Sequence, residues 1–183
     1  DGDMDVLSAS KDDNTIRWYE NDGSESFTVH TITTSATGAN SVFAIDVDGD
    51  GDVDVLSASY KDNKIAWYEN DGSESFTAHT ITTSTEGANS VYAVDMDKDG
   101  DIDVLSSSET DDKIAWYEND GSESFTAHTI TTDTDWARSV FAIDMDEDGD
   151  VDVLSASVSD DKIAWYENDG SESFTAHIIS TDA

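Results

Sequence analysis

This chain repeats itself every 49 residues, and few folds tolerate such a period. Trp18, Trp67, Trp116 and Trp165 keep the 49-residue interval, and each opens the run Trp-Tyr-Glu-Asn-Asp-Gly-Ser-Glu-Ser-Phe-Thr. His30, His79, His128 and His177 follow the same spacing. A fixed period of about 40–50 residues marks an array of small units, each burying its apolar face against the next, as in propellers and solenoids.

Within a period the apolar pattern is that of strands. In the unit from Ser41 to Asn89, Ser41–Ile45 is a short apolar run, suited to a strand buried on both faces. Asp54–Ser59 alternates loosely, Lys64–Glu69 is aromatic and β-branched, and Phe76–Thr82 is Thr-rich and alternating. Asp/Gly and Asn-Asp-Gly turn signals separate them. No stretch keeps helical spacing. The expected fold is therefore all-β: a β-propeller of four-stranded antiparallel blades. The expected divisions of this single region, 1–183, are a partial blade 1 (1–35), blade 2 (36–84), blade 3 (85–133) and blade 4 (134–183). Asp1 aligns with Asp50, Asp99 and Asp148, so the first blade lacks its first strand. This reads as a portion of a larger ring, or as a subunit that joins other chains head to tail through that incomplete blade.

Three times the period contains Asp-x-Asp-x-Asp-Gly-Asp-x-Asp, at Asp46–Asp54, Asp95–Asp103 and Asp144–Asp152. Five carboxylates in nine residues repel one another unless a hard cation with oxygen ligands neutralises them, and calcium fits that need. Side chains at loop positions 1, 3 and 5 are the first ligands: Asp46, Asp48 and Asp50; Asp95, Asp97 and Asp99; Asp144, Asp146 and Asp148. Gly at position 6 permits the sharp turn. At position 7 the carbonyls of Asp52, Asp101 and Asp150 face the ion, while their side chains are expected to point to solvent. Asp54, Asp103 and Asp152 close each cage at position 9. A truncated copy leaves Asp1, Asp3 and Asp5, which lack the first half of the cage. An EF-hand is excluded, because its position-12 Glu is replaced by Ser57, Ser106 and Ser155.

An Asp-x-Asp-x-Asp-Gly-x-x-Asp loop between two strands, in a blade-length repeat, resembles the FG-GAP/VCBS repeats along essentially the whole chain. The resemblance implies an integrin-α-like β-propeller of seven or eight blades, with calcium in the loop joining the first and second strands. The Phe-Gly and Gly-Ala-Pro signatures of the integrin type are replaced by Val42-Phe-Ala44 and Leu56-Ser-Ala-Ser59. That favours the VCBS-like branch of secreted and surface proteins.

Composition limits the partners. With 43 acids against 8 bases the net charge is −35, which disfavours nucleic acid and anionic membrane surfaces. No apolar run is long enough to span a bilayer. With no cysteine, disulfides play no part. Catalytic sites need unlike groups converging once, whereas nearly every polar residue here recurs by repetition, so no enzyme is expected. The repeated Trp and His read as core and structural positions.

The copies disagree at one end of the blades. The turns between second and third strands begin Lys11, Tyr60, Glu109 and Val158, and the links between blades end in Gly-Ala-Asn twice but in Trp136-Ala-Arg138 once. This variable face, with Trp136, Arg138, Tyr60 and Lys61, is the candidate ligand surface. The sequence-level expectation is a secreted or cell-surface, calcium-stabilised, non-catalytic binding or adhesion module for a glycan or extracellular protein. The alternatives are a structural unit of an extracellular filament, coat or matrix, and an accessory part of a polysaccharide-degrading enzyme.

Overall fold

The computed structural model describes residues 2–183, and among these all regular structure is β. Blade 1 holds β1 (Val6–Ser10), β2 (Thr15–Asn21) and β3 (Phe27–Thr33). Blade 2 holds β4 (Ala39–Ile45), β5 (Asp54–Ser59), β6 (Lys64–Asn70) and β7 (Phe76–Thr82). Blade 3 holds β8 (Ala88–Val94), β9 (Asp103–Ser108), β10 (Lys113–Asn119) and β11 (Phe125–Thr131). Blade 4 holds β12 (Ala137–Ile143), β13 (Asp152–Ser157), β14 (Lys162–Asn168) and β15 (Phe174–Ser180). Each blade is an antiparallel sheet whose strand order follows the chain, three-stranded in blade 1 and four-stranded in the others.

The register repeats with the sequence. Leu56 faces Trp67, and Trp67 faces His79, across neighbouring strands. Leu105, Trp116 and His128 do the same one blade on. A bulge recurs at the start of each complete first strand, as between Ala39 and Ser41, and between the first two paired residues of β6 and its counterparts. Such insertions bend and twist a strand, as a propeller blade requires.

The core lies between blades. Leu56, Trp67 and Val47 of blade 2 pack on Ala88, Val91, Ala93 and Val104 of blade 3. Met96, Leu105 and Trp116 of blade 3 pack likewise on Val140, Ala142 and Val153 of blade 4. The first strand of blade 3 serves both seams, with Val91 and Ala93 towards blade 2 and Tyr92 and Val94 towards blade 4. That two-sided burial explains why this strand reads as an unbroken apolar run. Phe43, Tyr92 and Phe141 extend the packing as a ladder of tilted rings, with centroids 4.7 and 4.8 Å apart.

Turns fix the two rims. Asp71 Oδ1 accepts the backbone N–H groups of Ser73 and Ser75, which shapes the tight turn between β6 and β7. At the other rim, the Gly38 N–H donates to Asn14 Oδ1 at 2.9 Å and its carbonyl accepts the Tyr60 N–H at 2.9 Å. Each link is thus held by the turn of the blade it leaves and the turn of the blade it enters. The acidic loops and Asn-Asp-Gly turns share one rim, and the variable turns and links share the other.

Trp116 is fully buried at a seam, so Trp116→Ala should lower the unfolding free energy by about 3–5 kcal/mol. Ile143 lies on the open face of blade 4, and Ile143→Ala should change it by no more than about 1 kcal/mol. Denaturant unfolding of the two variants checks the contrast.

Candidate metal loops and the variable rim

In each loop the aspartates fold inward because backbone N–H groups hold them there. Asp46 accepts from Gly49 at 2.8 Å and from Gly51 at 3.0 Å, Asp48 from Asp50 at 3.1 Å, and Asp50 from Asp52 at 2.8 Å. Gly51 sits at φ +98° and Gly149 at +98°, a conformation only glycine takes readily. Carboxylate oxygens of Asp46, Asp48 and Asp50 come within 4.8 Å of one another, as do those of Asp95, Asp97 and Asp99. In the blade 4 loop the converging set is Asp144, Asp146 and Asp152, while Asp148 accepts from the Asp150 N–H at 2.8 Å.

The position-9 aspartates are the most deeply placed. Asp54, Asp103 and Asp152 are fully buried. One oxygen of Asp54 accepts the Val47 N–H at 3.0 Å and the other the Asn70 N–H at 2.8 Å. Asp103 binds Met96 and Asn119 in the same way, and Asp152 binds Met145 and Asn168. Each carboxylate therefore ties its acidic loop to the end of the blade's third strand. In blade 1, Asp5 keeps the equivalent bond to the Asn21 N–H at 2.8 Å, while its other oxygen takes the Trp18 indole N–H at 2.9 Å. The corresponding indole nitrogens of Trp116 and Trp165 are buried without a hydrogen-bond partner.

The position-7 side chains differ from expectation. Asp52, Asp101 and Asp150 do not simply point to solvent. They are half-buried and lean over Gly72, Gly121 and Gly170 of the neighbouring turn, where a Cβ would collide with each carboxylate. The physical reason is that the turn glycine leaves a gap beside the loop that the carboxylate fills. Asp150 also receives an ion pair from Lys98, which joins the acidic loops of blades 3 and 4. Asp3 occupies the equivalent place against Gly23, and Asp1 lies outside the described residues.

The donor set suits a hard divalent cation. All the converging atoms are carboxylate oxygens, and Asp95 Oδ1 and Asp144 Oδ1 are buried with no hydrogen-bond partner. Burial, with neighbouring carboxylates adding repulsion, raises the pKa of Asp48, Asp97 and Asp146. Burial raises Asp54 as well, and pushes Asp103 up to about 7.

On the opposite rim, Trp136 holds φ +62° with its side chain about half exposed, at the position that Gly38 and Gly87 occupy at φ +73° and +72°. Its N–H donates to Asp112 Oδ1 at 3.0 Å. Arg138 is exposed and pairs with Glu109 at 3.3 Å, and Glu109 also accepts from the Asn89 side chain at 3.0 Å. Tyr60 belongs to a different seam: its ring lies against Gly87, with the Lys11 ammonium 4.5 Å above it. Lys61 is exposed beside Gly38 of the first link. The structure thus brings Trp136 and Arg138 to one link and places Tyr60 and Lys61 at others.

Two features escaped the sequence reading. The dual grip of the position-9 aspartate needs a partner 16 residues away, Asn70 at the end of β6. The pairing of each repeated His with a Glu ten residues before it, at 2.6–3.0 Å, was legible only as two residues that recur together.

The FG-GAP-like repeat family matches three overlapping windows, 1–57, 46–106 and 95–155, so the chain belongs to that family. Each later window begins at an acidic loop and ends just past the next. No curated protein matches the sequence. Among solved structures, the fold is similar to an Agrocybe aegerita lectin described as recognising non-reducing terminal N-acetylglucosamine, at 12% identity and TM-score 0.61, covering 96% of this chain and 52% of the lectin. It is similar to a protein of unknown function from Desulfotomaculum acetoxidans at 11% identity and TM-score 0.65, covering 94% and 51%. It also resembles a candidate 6-phosphogluconolactonase from Bacteroides fragilis at 11% identity and TM-score 0.59, covering 96% and 53%. These likenesses show the fold, and the chain spans about half the length of each.

The raised carboxyl groups set a pH dependence for the ion-free protein. They hold protons more tightly folded than unfolded, so their contribution is fully present below the unfolded value near 3.8 and is lost as pH rises through the folded values, up to about 7 at Asp103. Melting in chelator should therefore show stability falling between about pH 4 and 7. Asp103→Asn should flatten that slope.

Proposed function

We propose that this chain is a calcium-stabilised, non-catalytic β-propeller binding module of the VCBS-like type, acting outside the cell or at its surface and recognising a glycan. The observation that carries the reading is Trp136. An indole at φ +62° costs about 1–3 kcal/mol relative to a residue suited to that backbone. Strain of this kind persists at functional sites, and the other two links of the array use Gly38 and Gly87 instead. An exposed indole is a good surface for stacking a sugar ring, and Arg138, two residues on and also exposed, offers N–H donors for its hydroxyls. The lectin with a similar fold supports the choice of glycan over protein. Calcium would be held by Asp46, Asp48, Asp50 and Asp54, by Asp95, Asp97, Asp99 and Asp103, and by Asp144, Asp146, Asp148 and Asp152, with the carbonyls of Asp52, Asp101 and Asp150. Its role is to neutralise the loops and fix the rim opposite the ligand surface.

The test is a glycan array probed in millimolar calcium with the native chain and with Trp136→Gly. Restoring the repeat's own glycine should leave the melting temperature equal or higher and abolish binding to the recognised sugar. Equal binding by this variant would exclude Trp136 as the anchor. Removing calcium with chelator should lower the melting temperature, and calcium should stabilise more strongly at pH 8 than at pH 5, because it competes with protons for the same carboxylates.

A structural, self-assembling reading is favoured by one further observation. Met145 of blade 4 is 49% exposed, whereas its counterparts Val47 and Met96 are 3% and 2% exposed inside seams. At the other end, a cleft of about 470 Å³ lined by Met4, Leu7, Trp18, Ala44, Val53 and Phe76 opens between blades 1 and 2. On this reading the exposed side of blade 4 seats in that cleft on a second chain. Light scattering across a concentration series would then show masses above the monomer, reduced by Met145→Asp. A monomer at all concentrations would exclude it.

A further inference from the structure

The rim of the acidic loops carries a second cluster that the loops do not use. At the seam between blades 3 and 4, Glu118 on β10, His128 on β11 and Glu172 from the β14–β15 turn each place one ligand atom within 4.8 Å of the others. Two blades contribute, and one donor is an imidazole. His128 Nε2 lies 2.8 Å from Glu118 Oε2. That contact is a hydrogen bond, and an ion taking the place of its bridging proton would set the two ligand atoms roughly 3.4 Å apart in tetrahedral geometry. The imidazole plane is fixed by stacking on Trp116, with centroids 4.6 Å apart and 20° between planes. Glu172 is held at φ +60° in a turn whose Asp169 Oδ1 accepts the N–H groups of Ser171 and Ser173.

We propose that Glu118, His128 and Glu172 form a divalent-metal site that clips blade 3 to blade 4, selective for a transition-type ion such as zinc. The all-oxygen loops suit a hard ion. A set of one nitrogen and two carboxylates suits zinc, and its remaining positions are open to water. The His–Glu pair recurs as Glu20–His30, Glu69–His79 and Glu167–His177. The third ligand is the discriminating element: among the described residues, the three-way approach with an imidazole occurs at this seam.

The experiment titrates zinc chloride into the full chain held in millimolar calcium, and follows heat and the imidazole NMR signals. One zinc per chain should bind, shifting the His128 resonances and leaving those of His177 in place. Glu172→Gln and His128→Gln should each weaken that binding at least tenfold, and His177→Gln should leave it unchanged. Both Glu172→Gln and His177→Gln are surface changes, which keeps the comparison within folded protein. Equal shifts at all four histidines, unaltered affinity in Glu172→Gln, or no zinc uptake in calcium would each overturn the proposal.

Discussion

A blade of this protein cannot hide its own apolar residues, and the rest of the architecture follows from that. Each sheet has two faces and few side chains able to cover either. Leu56 and Trp67 are removed from water only because Val91, Ala93 and Val104 of the next sheet press against them. The seam therefore dictates the period. Every blade must present the same forward face and the same rear face, so selection on one seam is selection on all of them. The repeated Trp is a consequence of this packing. Its stacked His, and the Glu that holds the His, brace the outer part of the same blade.

With the seams fixed, the two rims are free to serve different ends. One rim is built from the acidic loops and the Asn-Asp-Gly turns, and here the copies are almost identical. Asp54 and its counterparts explain why: a buried carboxylate that satisfies two backbone N–H groups on separate segments admits no substitute of another shape. The other rim is held mainly by backbone bonds and by Asn14, Asn63 and Asp112, which accept from the links. Thr85 and Thr134 add hydroxyl bonds to the Asn63 and Asp112 carbonyls, while the residue that opens each turn takes no fixed part in this pattern. Lys11, Tyr60, Glu109 and Val158 can therefore differ, and the link can exchange a glycine for Trp136.

Much of this was legible in the sequence because repetition removes ambiguity. Four short strands per period, the assignment of turns to rims and the burial of Trp67 follow from alternation, turn chemistry and the period itself. The position-7 side chain was not legible. Asp52 leans on Gly72, and that contact depends on how closely the two turns of a blade approach, which spacing alone does not reveal. The position-9 carboxylate reads as a ligand in a linear motif, yet its two backbone bonds come from the fold of the whole blade. Long-range pairs such as Lys98 with Asp150 depend on the angle between blades and on substitutions within the repeat, since Gly49 and Glu147 stand where Lys98 does.

The two-sided packing of β8 has a further consequence, for how the molecule comes apart. β8 takes part in two seams, and stability in an array of this kind is a sum of nearest-neighbour terms. Loosening β8 therefore weakens both seams at once, and its amides open to solvent only when blade 3 parts from blade 2 and from blade 4. The third blade thus couples its two neighbours, so that a disturbance at one seam is felt at the other.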